Sequence, residues 1–175
     1  VAEAVVRPEA MIAATISDSA LIGKSETRKS PGTRGKVAAM LRSALIEAQN
    51  YQIKRADSDD EKRPARDLKL ETLVRVLNGE LPLLVTAQRH NDIMTTLRIA
   101  EEFDIRLVLD GATESYLLID EIRQAGVSVI LHPQMARPTA VRKNMSYTTA
   151  ARLIDAGIPV AFQSGFESYV PKTRV

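Results

Sequence analysis

Four short apolar runs organise the second half of the chain: 83–86 (LLVT), 105–110 (IRLVLD), 127–132 (VSVILH) and 158–163 (IPVAFQ). None alternates apolar with polar residues in the manner of a strand with one wet face, so the pattern predicts strands buried on both faces, as in a parallel sheet covered by helices. Between the first three runs, apolar residues return at helical spacing: Ile93, Leu97, Ile99, Ala100 and Phe103, then Tyr116, Leu117, Ile119, Ile122 and Ala125. These segments read as crossover helices of βα units, and a further helix is expected from Ser146 through Ala156, closed by Gly157.

Earlier in the chain, Val37, Met40, Leu41, Ala44, Leu45 and Ala48 fall on one face and predict a long helix over 36–54, with Thr33 as its N-cap. Leu68, Leu70, Leu73, Val74 and Leu77 give a second helical face, ended by Asn78-Gly79. The stretch 54–67 between them carries both signs of charge and a proline, and reads as a solvated linker. Residues 1–35 form an irregular lead-in within which 10–16 admit a short strand or helix, and 36–175 form the main domain. Gly23-Lys24-Ser25 is not a phosphate loop, because Asp18 stands where that motif needs its first glycine.

In parallel α/β architectures ligands bind at the carboxyl ends of the strands. Those ends carry Thr86, Gln88 and Arg89; Asp110, Gly111 and Glu114; His132; and Gln163, Ser164 and Gly165. Asp110 and His132 are the candidate catalytic groups. A carboxylate beside a glycine can meet a ligand amine or hydroxyl, and His132 can serve as a general base, although helix capping and a structural histidine account for the same residues. Thr86, Gln88, Arg89, Glu114, Gln163 and Ser164 are the candidate ligand-binding groups, with Gln88 and Arg89 suited to a carboxylate. His90, at a helix start, reads as a surface or capping residue. No metal is expected, since the chain has two histidines in different places.

Composition narrows the classes. The 175 residues are 45% hydrophobic and 26% charged, ordinary values for a soluble globular domain. A net charge of +2 without a basic stripe gives no reason to invoke nucleic acid. The absence of cysteine excludes disulfides, thiolate metal sites and a cysteine nucleophile, and leaves cytoplasmic and periplasmic settings equally open. No apolar run approaches the roughly 20 residues that span a bilayer, and 1–11 lacks the pattern of a signal peptide. A start at Val1 and an end without a closing helix lead us to expect a fragment or a cleaved product.

The phrases SPGTRGKVAAMLRSALIEAQNY, RDLKLETLVRVLNGELPLLVTAQRHNDIMTTLRIAEEFDIRLVLDGATESYLLIDEI, AGVSVILHP and AGIPVAFQSG resemble the imidazolonepropionase-related, prolidase-like branch of the amidohydrolase superfamily. The resemblance covers about 30–175 and implies part of a (β/α)8 TIM barrel, with the four runs as strands five to eight. It implies hydrolysis of cyclic amide or peptide-like C–N bonds, commonly with zinc or another divalent metal. In metal-dependent relatives the resemblance places ligands where this chain has Thr86, Gln88, Gly111 and Gly165, so the expectation is a site without the usual metal. The alternative is a non-catalytic or metal-free barrel descendant that binds a small ligand. Four strands would leave two open edges, so the missing barrel half or a homo-oligomer mate is the expected partner.

Overall fold

The computed structural model describes residues 9–21, 32–57, 63–132 and 142–163. Its centre is a sheet of five strands, all parallel and in sequence order: β1 (Ile12–Thr15), β2 (Leu83–Ala87), β3 (Leu107–Gly111), β4 (Ser128–Leu131) and β5 (Val160–Phe162). The last four answer to the four apolar runs. The first is a strand that pairs with β2 within the stretch expected to be irregular, and it adds a fifth member to the expected four. Its weak pattern follows from its place at the sheet edge, where Ala13 and Thr15 stand exposed and only alternate residues need be apolar.

Helices make every described crossover. Between β1 and β2 lie α1 (Arg34–Arg55) and α2 (Leu68–Leu77); α3 (His90–Glu102) joins β2 to β3; α4 (Ile119–Gln124), preceded by a 3-10 turn at Ser115–Leu117, joins β3 to β4; α5 (Thr149–Asp155) precedes β5. Caps set the starts of the first two. Thr33 Oγ1 accepts the Lys36 N–H at 3.2 Å, and Asp67 Oδ1 accepts the Lys69 and Leu70 N–H groups at 2.9 and 3.1 Å. Gly79, at φ 70°, ends α2 in the left-handed conformation that Asn78-Gly79 foretold. Four residues assigned to the apolar faces are in fact outside: Met40 is 53%, Leu68 71% and Leu117 53% exposed, and Ala125 is exposed as well, while Val76 is the fully buried residue of α2.

Burial alternates along β1, β2, β4 and the first part of β3, so that among the described residues one face is less covered than the expected two-sided burial. Leu83, Val85, Leu109, Val129 and Leu131 are buried against the helices, whereas Leu84, Thr86, Val108, Ser128 and Ile130 are half-buried. The helices cover one face, and the described residues supply no second layer for the other. Among the described residues no helix is long and apolar enough to cross a membrane.

Candidate functional site

Parallel pairing in register puts residues of one strand end beside those of the next. Thr15 pairs with Thr86, Thr86 with Asp110, and Asp110 with Ile130, two residues before His132. Along this open face runs a row of polar contacts. Thr86 Oγ1 donates to Asp110 Oδ2 at 2.7 Å, His132 Nε2 lies 2.8 Å from Asp110 Oδ1, and Gln163 Nε2 lies 2.6 Å from His132 Nε2. Nε2 holds a single hydrogen, and Asp110 as a carboxylate can only accept. The proton therefore points at Asp110, Gln163 lies beside the ring with no hydrogen on Nε2 left to share, and Nδ1 becomes the basic nitrogen.

Asp110 is 7% exposed. That burial works to raise its pKa, but the hydrogen bonds from His132 and Thr86, the imidazole charge and the Gly111 N–H carry it below the ordinary aspartate value. The backbone after it is a tight turn. Ala112 N–H donates back to Asp110 O at 3.0 Å around Gly111 at φ 77°, and Ala112 itself has φ 36°. An i to i+2 bond around a positive φ is the rarer and more strained γ-turn, and strain of this kind gathers at functional sites.

The glycine is also required by its neighbour. A Cβ built on Gly111 would fall on Gln88 Nε2 and lie 2.8 and 2.9 Å from Gln88 Cδ and Oε1. Gln88 is 6% exposed, its Oε1 accepts Thr113 Oγ1–H at 2.5 Å, and its carbonyl accepts the Glu114 N–H at 3.0 Å. Thus Gln88 fills the space that a side chain at 111 would take. At the positions where the resemblance places metal ligands, the described residues offer a hydroxyl already donated to Asp110, an amide held by Thr113 and a glycine. That donor set does not fit a divalent metal, and no group of three or more His, Asp or Glu among the described residues is placed to hold one. Gly165 and the candidate Ser164 lie outside the described residues.

The remaining candidates separate from the row. Arg89 Nη2 turns to Asp18 Oδ2 at 3.3 Å. Glu114, 3% exposed, spends both carboxylate oxygens inside the protein: Oε2 accepts the His90 N–H at 2.8 Å and faces His90 Nδ1 at 2.6 Å, and Oε1 accepts from Asn144 Nδ2 at 2.8 Å. Burial pushes its pKa up, yet the His90 backbone N–H, the His90 ring and the Asn144 amide together bring it below the usual glutamate value. Sequence reasoning passed over Thr113, Asn144 and the imidazole of His90. One signal was present for two of them: His90 and Glu114 stand one βα repeat apart, as do Thr86 and Asp110, and Gln88 and Thr113 are spaced almost the same.

A further charged cluster sits beyond the ends of β1 and β2. Arg34 Nε donates to Asp18 Oδ1 at 2.9 Å and lies 3.8 Å from Asp92 Oδ1, while Asp92 Oδ2 is buried without a hydrogen-bond partner. Burial raises the Asp92 pKa. Arg34 works against that rise, Asp18 adds to it, Arg89 subtracts and Glu114 adds.

The two depressed carboxylates set an expected pH response. Their contribution to stability is complete above the ordinary values of 3.8 and 4.5 and is lost as pH falls through the lower folded values. Urea unfolding of Asp110→Asn and Glu114→Gln should show a flatter acid limb than the parent protein. A limb equally steep in both variants would refute this assignment.

No protein-family profile and no curated protein sequence matches the chain. Among solved structures, the fold is similar to that of an amidohydrolase from Thermotoga maritima MSB8, with a TM-score of 0.88 and 26% identity over 97% of this chain. The chain spans 45% of that protein. The likeness supports an amidohydrolase relationship for the part spanned, and the parallel sheet with its helices is consistent with part of a TIM-barrel-like fold.

Proposed function

We propose that this chain is the later part of an amidohydrolase-related barrel that opens C–N bonds of a cyclic amide or peptide-like small molecule, without the family's usual metal. The reading draws on the likeness to an amidohydrolase, on the quoted phrases of the imidazolonepropionase-related and prolidase-like branch, and above all on one observation. Thr86, Asp110 and His132 form a hydrogen-bonded row across three adjacent strand ends, with Gln163 beside the imidazole on the fourth. With β1 included, the five strands are strands four to eight of the barrel, and the rest of the protein or a second copy closes it.

In this mechanism His132 Nδ1 takes a proton from the attacking water, and Asp110, bonded to Nε2–H, stabilises the imidazolium that results. Thr86 holds the other carboxylate oxygen, so that Asp110 keeps its orientation as the charge moves. The proton then passes to the departing nitrogen. The test uses the full-length protein with five- and six-membered cyclic amides, ring opening being followed by ultraviolet absorbance. His132→Asn and Asp110→Asn are each expected to lower turnover by about 10²-fold to 10⁴-fold, while a chelator leaves the parent rate unchanged. Undiminished turnover in His132→Asn, or chelator-sensitive activity restored by zinc, would overturn the reading.

The packing of Gln88 into the place of a side chain at 111 favours a second reading, a barrel descendant that binds such a ligand and releases it intact. Calorimetric binding of the cyclic amide with no ring opening, lost in Asp110→Asn, would select it.

A further inference from the structure

Glu114 does more than cap a helix. It accepts the backbone N–H of His90, the first residue of α3, and a cap needs no more than that. Yet the same oxygen faces His90 Nδ1 at 2.6 Å, and the other is fixed by Asn144 Nδ2 at 2.8 Å. Asn144 is held in turn, its carbonyl accepting from Tyr116 Oη–H at 3.0 Å. Loops following β2, β3 and β4 therefore converge on one carboxylate that is itself 3% exposed. A carboxylate against Nδ1 demands Nδ1–H, so the neutral ring carries its lone pair on Nε2. The His90 side chain is 49% exposed, so solvent and solutes reach it.

We propose that His90 is a second reactive imidazole at this mouth, a nucleophile toward activated acyl carbonyls, with Glu114 as its positioning residue. Nε2 attacks the acyl carbon and the acyl–oxygen bond breaks, the leaving group departing with the bonding electrons. The resulting acyl-imidazolium keeps Nδ1–H against the Glu114 carboxylate, whose charge offsets the new cation. Water then adds to the acyl carbon, the carbon–Nε2 bond breaks, and carboxylate and protons are released with the imidazole restored. Nothing is oxidised or reduced, and water is the one co-reactant. His132 differs in kind, because its Nε2 is already committed to Asp110.

The full-length protein is mixed with 4-nitrophenyl acetate, nitrophenolate release is followed at 400 nm, and acid-quenched samples are digested for peptide mass analysis. An acetyl group on the His90 peptide is expected. His90→Gln should lower release by about tenfold or more, and Glu114→Gln by several-fold with an altered pH profile of acetylation, both with native-like circular dichroism. Acetyl on the His132 peptide alone, or unchanged release in His90→Gln, would overturn the proposal. If Glu114→Gln does not fold, the His90 variant and the adduct position still decide. The adduct reads this pair alone and C–N ring opening reads the row at His132, so either assignment can fail without the other.

Discussion

Gly111→Ala is expected to destabilise the protein by about 3 kcal/mol, a large effect for the addition of one methyl group. Two causes add. A non-glycine residue at φ 77° carries roughly 1–3 kcal/mol of backbone strain, and overpacking against the Gln88 amide costs about 1–3 kcal/mol more. Removing the obstacle separates them. In Gln88→Ala/Gly111→Ala the packing part should vanish while the backbone part persists, giving a coupling of at least ~1 kcal/mol in a double-mutant cycle of urea unfolding. Strict additivity of the two substitutions would show that Gln88 does not occupy that space. The same cycle bears on the site, because a larger side chain at 111 meets the same obstacle and requires position 88 to change with it.

Arg34→Met should cost about 2–3 kcal/mol at neutral pH, since it takes the nearer cation from a carboxylate that is 3% exposed and keeps one oxygen without a partner. Arg89 then still lowers the Asp92 pKa, against Asp18 and Glu114, which raise it. A carboxyl whose folded pKa lies above its unfolded value is bound more tightly to its proton in the native state, so acidification through the folded value stabilises. The gap between Arg34→Met and the parent should therefore narrow in mildly acidic buffer, where Asp92 takes up a proton and no longer needs the guanidinium. Unfolding midpoints whose difference stays constant or grows on acidification would contradict this account.

The parallel strands were legible because 83–86, 105–110, 127–132 and 158–163 are short and apolar and the first three are separated by segments of helical spacing, whereas the register, with its unequal offsets, was not. β1 was less so, since an edge strand of four residues that buries alternate positions leaves little pattern. The row at Thr86, Asp110, His132 and Gln163 could be anticipated as a set of strand ends, but its bonding order could not, because side chains on the open face have several partners in reach. The other candidates diverged for electrostatic reasons. Arg89 found Asp18 across the crossover, and Glu114 became a buried acceptor for His90 and Asn144. The Arg89–Asp18 pairing leaves no trace in local sequence, and that of Glu114 with His90 shows only as a spacing of one βα repeat.

The position of β1 also bears on the order in which the molecule assembles. Its partner in β2 lies about 70 residues further along the chain, whereas β2, β3 and β4 find one another across loops about one third as long. Closing the longer loop costs roughly 1 kcal/mol more in chain entropy, and β1 returns only four residues of pairing on an exposed edge. The sheet should therefore nucleate at β2–β3–β4 and take up β1 last, so that in hydrogen exchange the amides of Ile12 and Ile16, bonded to Pro82 and Thr86, open well before those of β3.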